Sequence, residues 1–339
     1  MAGSDPDVAD PDVATGDGAA SVGALGTPIR IGTCSWADES LTKHWYPSGV
    51  RSAEERLRYY ADRFDTVEVN STYYRLPEEE TVARWAERLP EAFVMHVKAF
   101  GVMTRHPVKA DALPADLREQ APVDERGRVE RPPREFRAEV FARFHAALEP
   151  LRQAGKLGGI LLQFPPYVVC KDLSFDYLTW AVEELRGDRA LVEFRHRSWL
   201  DDENRARVLS FLEDLGATHV VVDAPKTEAK NLVPTVVATT SPIAYVRMHG
   251  RNAKTWNVRG GSAAERFDYL YPQDELREWV EPLRQLRGQA EEAYVMFNTN
   301  NWSRRRGADK PAAQAPANAA LLRSLLDDEG VPATGAVDV

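Results

Sequence analysis

Cysteine is nearly missing from this chain: 339 residues hold only Cys34 and Cys170. That excludes a disulfide scaffold, a cysteine-built zinc site and a disulfide-linked partner. No window approaches eighteen uninterrupted apolar residues, so no membrane-spanning helix and no membrane partner is expected. A basic start followed by an apolar stretch, the mark of a secretory signal, is also lacking, and the expected location is cytoplasmic. No strand pattern is followed by a glycine-rich G-x-G-x-x-G loop, which counts against a doubly wound dinucleotide-binding sheet. Otherwise the make-up is ordinary: 43% hydrophobic and 28% charged residues can bury a sizeable core.

The net charge of −9 is unevenly spread. Residues 1–28 carry five aspartates and no Lys or Arg, so this stretch alone supplies −5 and the body carries −4. Rich in Ala, Asp, Gly and Val and without periodicity, 1–28 is expected to be a disordered acidic tail. A body so close to neutral says little about partners, and local clusters matter more.

From Ile29 onward, short β-like runs alternate with amphipathic stretches. The strand candidates are 29–34, 66–70, 93–100, 159–164, 190–194, 218–223, 244–248 and 293–298. Ser52 with Glu55 has the spacing of a capping box, and Leu57, Tyr60, Ala61 and Phe64 then recur on one face. Comparable stripes follow, and Pro282 inside one of them predicts a kink. Strands that alternate with helices predict one closed (β/α)8 barrel of TIM type over 29–327, with 328–339 a flexible C-terminus. The longest irregular stretch, 101–133, is expected to be an extended loop after the third strand and a candidate lid.

Several segments also resemble a known family. They are IRIGTCSW at 29–36, FDTVEVNSTYY at 64–74, GILLQFPP at 159–166, EFRHRSW at 193–199, YVRMHG at 245–250, RFDYLY at 266–271, and Phe297-Asn298 with APANA at 315–319. In this order they resemble the YecE-like family, also called domain of unknown function 72. The resemblance implies a TIM-type barrel and no settled activity. The chain departs from it in the acidic tail and at Thr104-Arg105-His106, where many relatives place Thr and His side by side.

Functional residues of such barrels sit at the C-terminal ends of strands. That rule selects Glu68 and Asn70, His96 and Lys98, Gln163, Glu193 with Arg195 and His196, Asp223, Arg247 with His249, and Asn298. Alternation places Glu68 with Asn70, His96 with Lys98, Glu193 with Arg195, and Arg247 with His249 on common faces. Paired charges inside a barrel would account for any one of these without catalysis. Polar groups at the ends of seven strands, where Val, Ile and Leu layers are usual, point to a site. Expected catalytic residues are Glu68, Lys98, Glu193, His196, Asp223 and His249. Expected binding residues are Asn70, Tyr73, Gln163, Arg195, Arg247, Trp256, Asn298 and Arg305. Glu193, Asp223 and His249 are also the candidate ligands of a divalent metal such as Zn, Mn or Mg.

Two late loops are basic: 247–262 carries +4 and 298–311 carries +3, with Trp256 and Trp302 inside them. Barrels commonly build phosphate sites there. The expected partner is therefore a phosphorylated small molecule or nucleic acid. The leading expectation is a phosphoester or phosphodiester hydrolase, with Glu193 or Asp223 orienting water and His249 or His196 as acid. The alternatives are a nucleotide- or nucleic-acid-binding module without turnover, and a sugar isomerase or aldolase-like enzyme that uses Lys98 or a carboxylate as base.

Overall fold

The computed structural model describes residues 27–227, 229–257, 263–304 and 310–338. Residues 1–26 of the expected tail, together with Arg259, Arg305 and Arg306 of the basic loops, lie outside the described residues.

Eight parallel strands follow in chain order: β1 Ile29–Thr33, β2 Thr66–Val69, β3 Val94–Lys98, β4 Leu157–Gln163, β5 Ala190–Glu193, β6 Thr218–Asp223, β7 Ile243–Met248 and β8 Glu292–Phe297. Each pairs with the next, and β8 returns to β1 with Ile31 opposite Val295. A parallel sheet needs both faces covered, and closing it removes its edges. The chain is therefore a (β/α)8-type barrel. Its outer strand face packs with the helices in one large apolar cluster, and a smaller cluster of Cys34, Leu161, Leu191, Val220, Val222, Tyr245, Tyr294 and Met296 fills the interior.

Local signals explain most helices. Ser52 and Glu55 form the reciprocal capping box and start the helix Ala53–Ala61. At Pro282 the outcome differs from a kink. The stripe is divided into Gln273–Arg277 and Val280–Gln289, and the proline falls in the first turn of the second helix. There its missing N–H has no helical partner to lose. Between β6 and β7 no helix occurs among the described residues, so one barrel unit lacks its cover helix.

The stretch 101–133 is folded rather than loose. It holds the helix Ala115–Gln120 and antiparallel bridges at Lys109–Arg128 and Val123–Val129, and it buries Val102, Met103, Leu113 and Leu117. The C-terminus is likewise part of the body, contrary to the flexible end expected at 328–339. After the minor strands β9 (Trp302–Ser303) and β10 (Ala312–Ala313) and the helix Gln314–Asp328, a last strand β11 (Ala333–Thr334) pairs with Ile29 and Arg30 of β1. β1 and β2 share a single register pair, Thr33 with Val67, so β11 covers the length of β1 that β2 leaves bare. Buried Val331, Ala333 and Ala336 anchor it, apolar positions too few to show a period.

Candidate functional site

Strand parity decides what enters the barrel. On β5 and β7 the apolar Phe194 and Met248 turn outward, so Glu193, Arg195, Arg247 and His249 turn in. The same holds for Glu68 and Asn70 around β2, Lys98 on β3, Gln163 on β4 and Asn298 after β8.

At the centre lies Arg247, fully buried. Its Nε and Nη2 donate to the two carboxylate oxygens of Glu68 at 2.9 and 2.6 Å, while Nη1 donates to Glu193. Tyr245 donates to Glu68 at 3.0 Å. The second oxygen of Glu193 accepts from Gln163 at 2.8 Å, Arg195 at 3.0 Å and His249 Nε2 at 3.1 Å. Burial would raise the Glu193 carboxyl, but Arg247, His249 and Arg195 outweigh it and hold it well below the usual range. For His249 burial wins and pushes it down to about 3, against the pull of Glu193. The neutral ring then carries its proton on Nε2, towards Glu193, and accepts from Asn298 on Nδ1 at 3.0 Å. This is a sealed network in which every member is satisfied.

Above it opens a cavity of about 690 Å³. Lys98 and Arg195 reach it from the floor. Lys98 Nζ donates to Gln163 at 2.9 Å, lies 4.5 Å from the Tyr73 ring centroid, and has no carboxylate ion pair among the described residues. Burial, aided by Arg247 and Arg195 and opposed by Glu193 and Glu68, lowers its amine to about 8. Arg195 lies over the Trp256 ring at 5.0 Å. Asn70 holds its amide against the Cys34 carbonyl at 2.9 Å, which leaves its Oδ1 buried without a partner. The walls are aromatic: Trp36, Tyr73, Phe267 and Trp302, with the exposed Tyr74 and Tyr167 at the rim.

Four expectations are corrected. Asp223 is on the outer face of β6, where it accepts from Tyr271 and pairs with Arg251 at 2.9 Å. His196 is outside the cavity lining and caps the turn Arg197–Trp199, accepting from the Ser198 N–H at 3.2 Å. Trp256 is 2% exposed beneath Arg195 and offers no free stacking face. With Asp223 turned away, Glu193 and His249 are only two of the three expected ligands. No group of three His, Cys, Asp or Glu among the described residues could hold a metal ion. The donor set does not fit the divalent metal. His96 is inside the barrel but below the mouth, between Tyr245 and Tyr294, with neither ring nitrogen bonded.

Sequence reasoning named Tyr73 and Trp302 of these walls but missed Trp36, Phe267, Tyr74 and Tyr167, as well as Arg266 and His106. Trp36, Tyr74 and Tyr167 lie just after strand ends, and inspecting the loops two to five residues past each strand would have found them. His106 is on the cavity wall, its Nδ1 2.9 Å from Thr104 Oγ1, and burial keeps it neutral at about 3.

The comparisons agree with this architecture. The family model described as protein of unknown function DUF72 matches residues 30–336. The UPF0759 protein YunF of Bacillus subtilis is 31% identical over 277 residues, covering 80% of this chain and 89% of that protein. A crystal structure of a DUF72 family protein from Thermotoga maritima superposes with a TM-score of 0.67 at 28% identity, over 89% of this chain and 100% of that one. One from Enterococcus faecalis gives a TM-score of 0.69 at 24% identity, over 88% and 95%, a likeness of fold. A match along nearly the whole barrel, with a relative of this identity, places the chain in the DUF72 family.

Proposed function

We propose that the barrel mouth is the active site of an isomerase- or aldolase-like enzyme acting on a small phosphorylated carbonyl compound, with Lys98 as the base. The observation that carries this reading is the amine of Lys98: it lies on the cavity floor, has no carboxylate partner among the described residues, and is lowered to about 8. Roughly a tenth of it is then neutral at pH 7, enough to accept a proton from the carbon beside a carbonyl. The pair of electrons left behind moves onto the carbonyl oxygen, which would face Arg195. Transfer of the proton from the adjacent hydroxyl to that oxygen, with return of the proton held by Lys98 to the former carbonyl carbon, moves the carbonyl to the neighbouring carbon and completes an isomerisation. Arg266, on the same wall, would meet the phosphate, and the unpartnered Asn70 Oδ1 would accept from a substrate hydroxyl.

The hydrolase mechanism expected from the sequence has less support. Glu193 and His249 are sealed within the network and Asp223 is outside it, so none can reach a water in the cavity. The nucleic-acid reading is weakened too, because Arg247 and Arg251 are engaged by internal carboxylates. The test is deuterium exchange at the carbonyl-adjacent carbon of a panel of three- to six-carbon sugar phosphates, followed by NMR. Exchange with at least one of them, reduced at least about 100-fold by Lys98→Met, is expected. Phosphate release without exchange would return the hydrolase, and neither activity on the panel would remove the carbonyl reading.

A further inference from the structure

On the far side of the turn that follows β3 lies a second surface cavity, of about 380 Å³. Arg105, Arg131 and Arg137 line it, together with His106 and Tyr167, which also line the mouth. The one carboxylate on its wall, Glu130, stands 3.9 Å from the exposed Arg131. Arg105 and Arg137 have no carboxylate partner among the described residues. Both guanidinium groups lie over the Tyr177 ring, at 5.2 and 5.6 Å from its centroid. Nε of Arg137 is buried with no hydrogen-bond partner.

Leaving like charges together and a buried donor unbonded is unfavourable unless something else meets them. Burial, with Arg105 and Arg134 beside it, pushes the Arg137 guanidinium below its usual range. The backbone adds a second sign. Arg105 and Arg131 have φ of 66° and 43°, left-handed values that side chains other than glycine or asparagine rarely adopt. Tyr167 fixes the first by donating to the Arg105 carbonyl at 2.6 Å. A plain turn would take glycine at such positions. Here arginine stands at both, and both line one cavity.

We propose that this cavity is a second anion subsite, holding a phosphoryl group at the far end of the ligand whose reacting end meets Lys98. The proposal rests on the carbonyl reading of the mouth and deepens it, because the substrate becomes doubly anionic. Guanidinium groups suit a phosphoryl group because each can donate two parallel hydrogen bonds to it. Tyr167 and His106, shared by both cavities, form the wall over which the ligand passes.

The test is calorimetric titration of the whole chain with linear bisphosphonates of three to eight methylenes, against the matching monophosphonates. At one chain length the bisphosphonate should bind at least ten-fold tighter. That advantage should shrink to two-fold or less in Arg105→Gln and in Arg137→Gln. In Arg131→Gln, whose side chain is exposed and cannot compromise folding, it should fall several-fold. No advantage at any length, or an advantage that survives both Arg105→Gln and Arg131→Gln, would overturn the proposal. Dicarboxylates of the same lengths binding as tightly would overturn the phosphoryl assignment. The proton-exchange assay on Lys98 judges the carbonyl reading separately, so the two can fail independently.

Discussion

At the residue scale, the mouth keeps a group whose burial opposes stability. The folded Lys98 amine is lowered from 10.5 to about 8, so between those values the unfolded chain binds the extra proton and stability rises with pH. Below about 8 the lysine therefore costs up to about 3 kcal/mol. Lys98→Met should raise the melting temperature at pH 7, and the gain should fade as pH climbs towards 10.5, which thermal melts across that range would show. Glu193 has the opposite sign. Its depressed carboxyl contributes stability that is present above the ordinary carboxylate range and lost as pH falls through its folded value. Glu193→Gln preserves shape but leaves Arg247 short of a buried counter-charge, at a cost of about 3–5 kcal/mol at neutral pH. Denaturant melts should show that gap narrowing only in acid; a constant gap would mean that the charge is not what matters.

At the element scale, all eight strands were legible as short apolar runs between helical stripes, and the facing pairs Glu193 with Arg195 and Arg247 with His249 were legible too. Each of those alternates with one bulky apolar residue that must turn outward, which fixes the inner face. β6 carried no such clue, because Val220, Val221 and Val222 are equally at home on either face. Asp223 was consequently placed inside when it is outside. The C-terminal strand β11 was illegible for another reason: two residues have no period. Its position depends on Gly335, where φ is +80° and an added Cβ would come within 2.3 Å of the Ile31 carbonyl oxygen. Gly335→Ala should therefore displace β11 and lower the melting temperature. Hydrogen exchange should locate the damage at the Ile29 amide, which now donates to Pro332 at 2.9 Å, with the amides of β4 and β5 unaffected.

At the scale of the whole molecule, charge arithmetic predicts a basic mouth, yet among the described residues of its two loops the fold turns Arg247 and Arg251 onto internal carboxylates. Arg251 reaches Asp223 and Glu278, both at 2.9 Å, and acts as a strut between the barrel and its cover helices. Arg251→Ala should destabilise the protein by about 3–5 kcal/mol by stranding the buried Asp223. Phosphate affinity should remain within about two-fold, which paired denaturant and binding measurements would check. A large loss of affinity without loss of stability would restore Arg251 as a ligand-binding group.

The seam between β1 and β8 also bears on how the molecule is made. Ile31 finds its partner Val295 only after almost the entire chain exists, and β11 comes later still. On a ribosome adding about 5–20 residues per second, the first strand waits many seconds with one edge open. An open parallel edge invites pairing with other nascent chains. Expression yield should consequently respond to chaperone supply and growth temperature more than the finished barrel's stability would suggest.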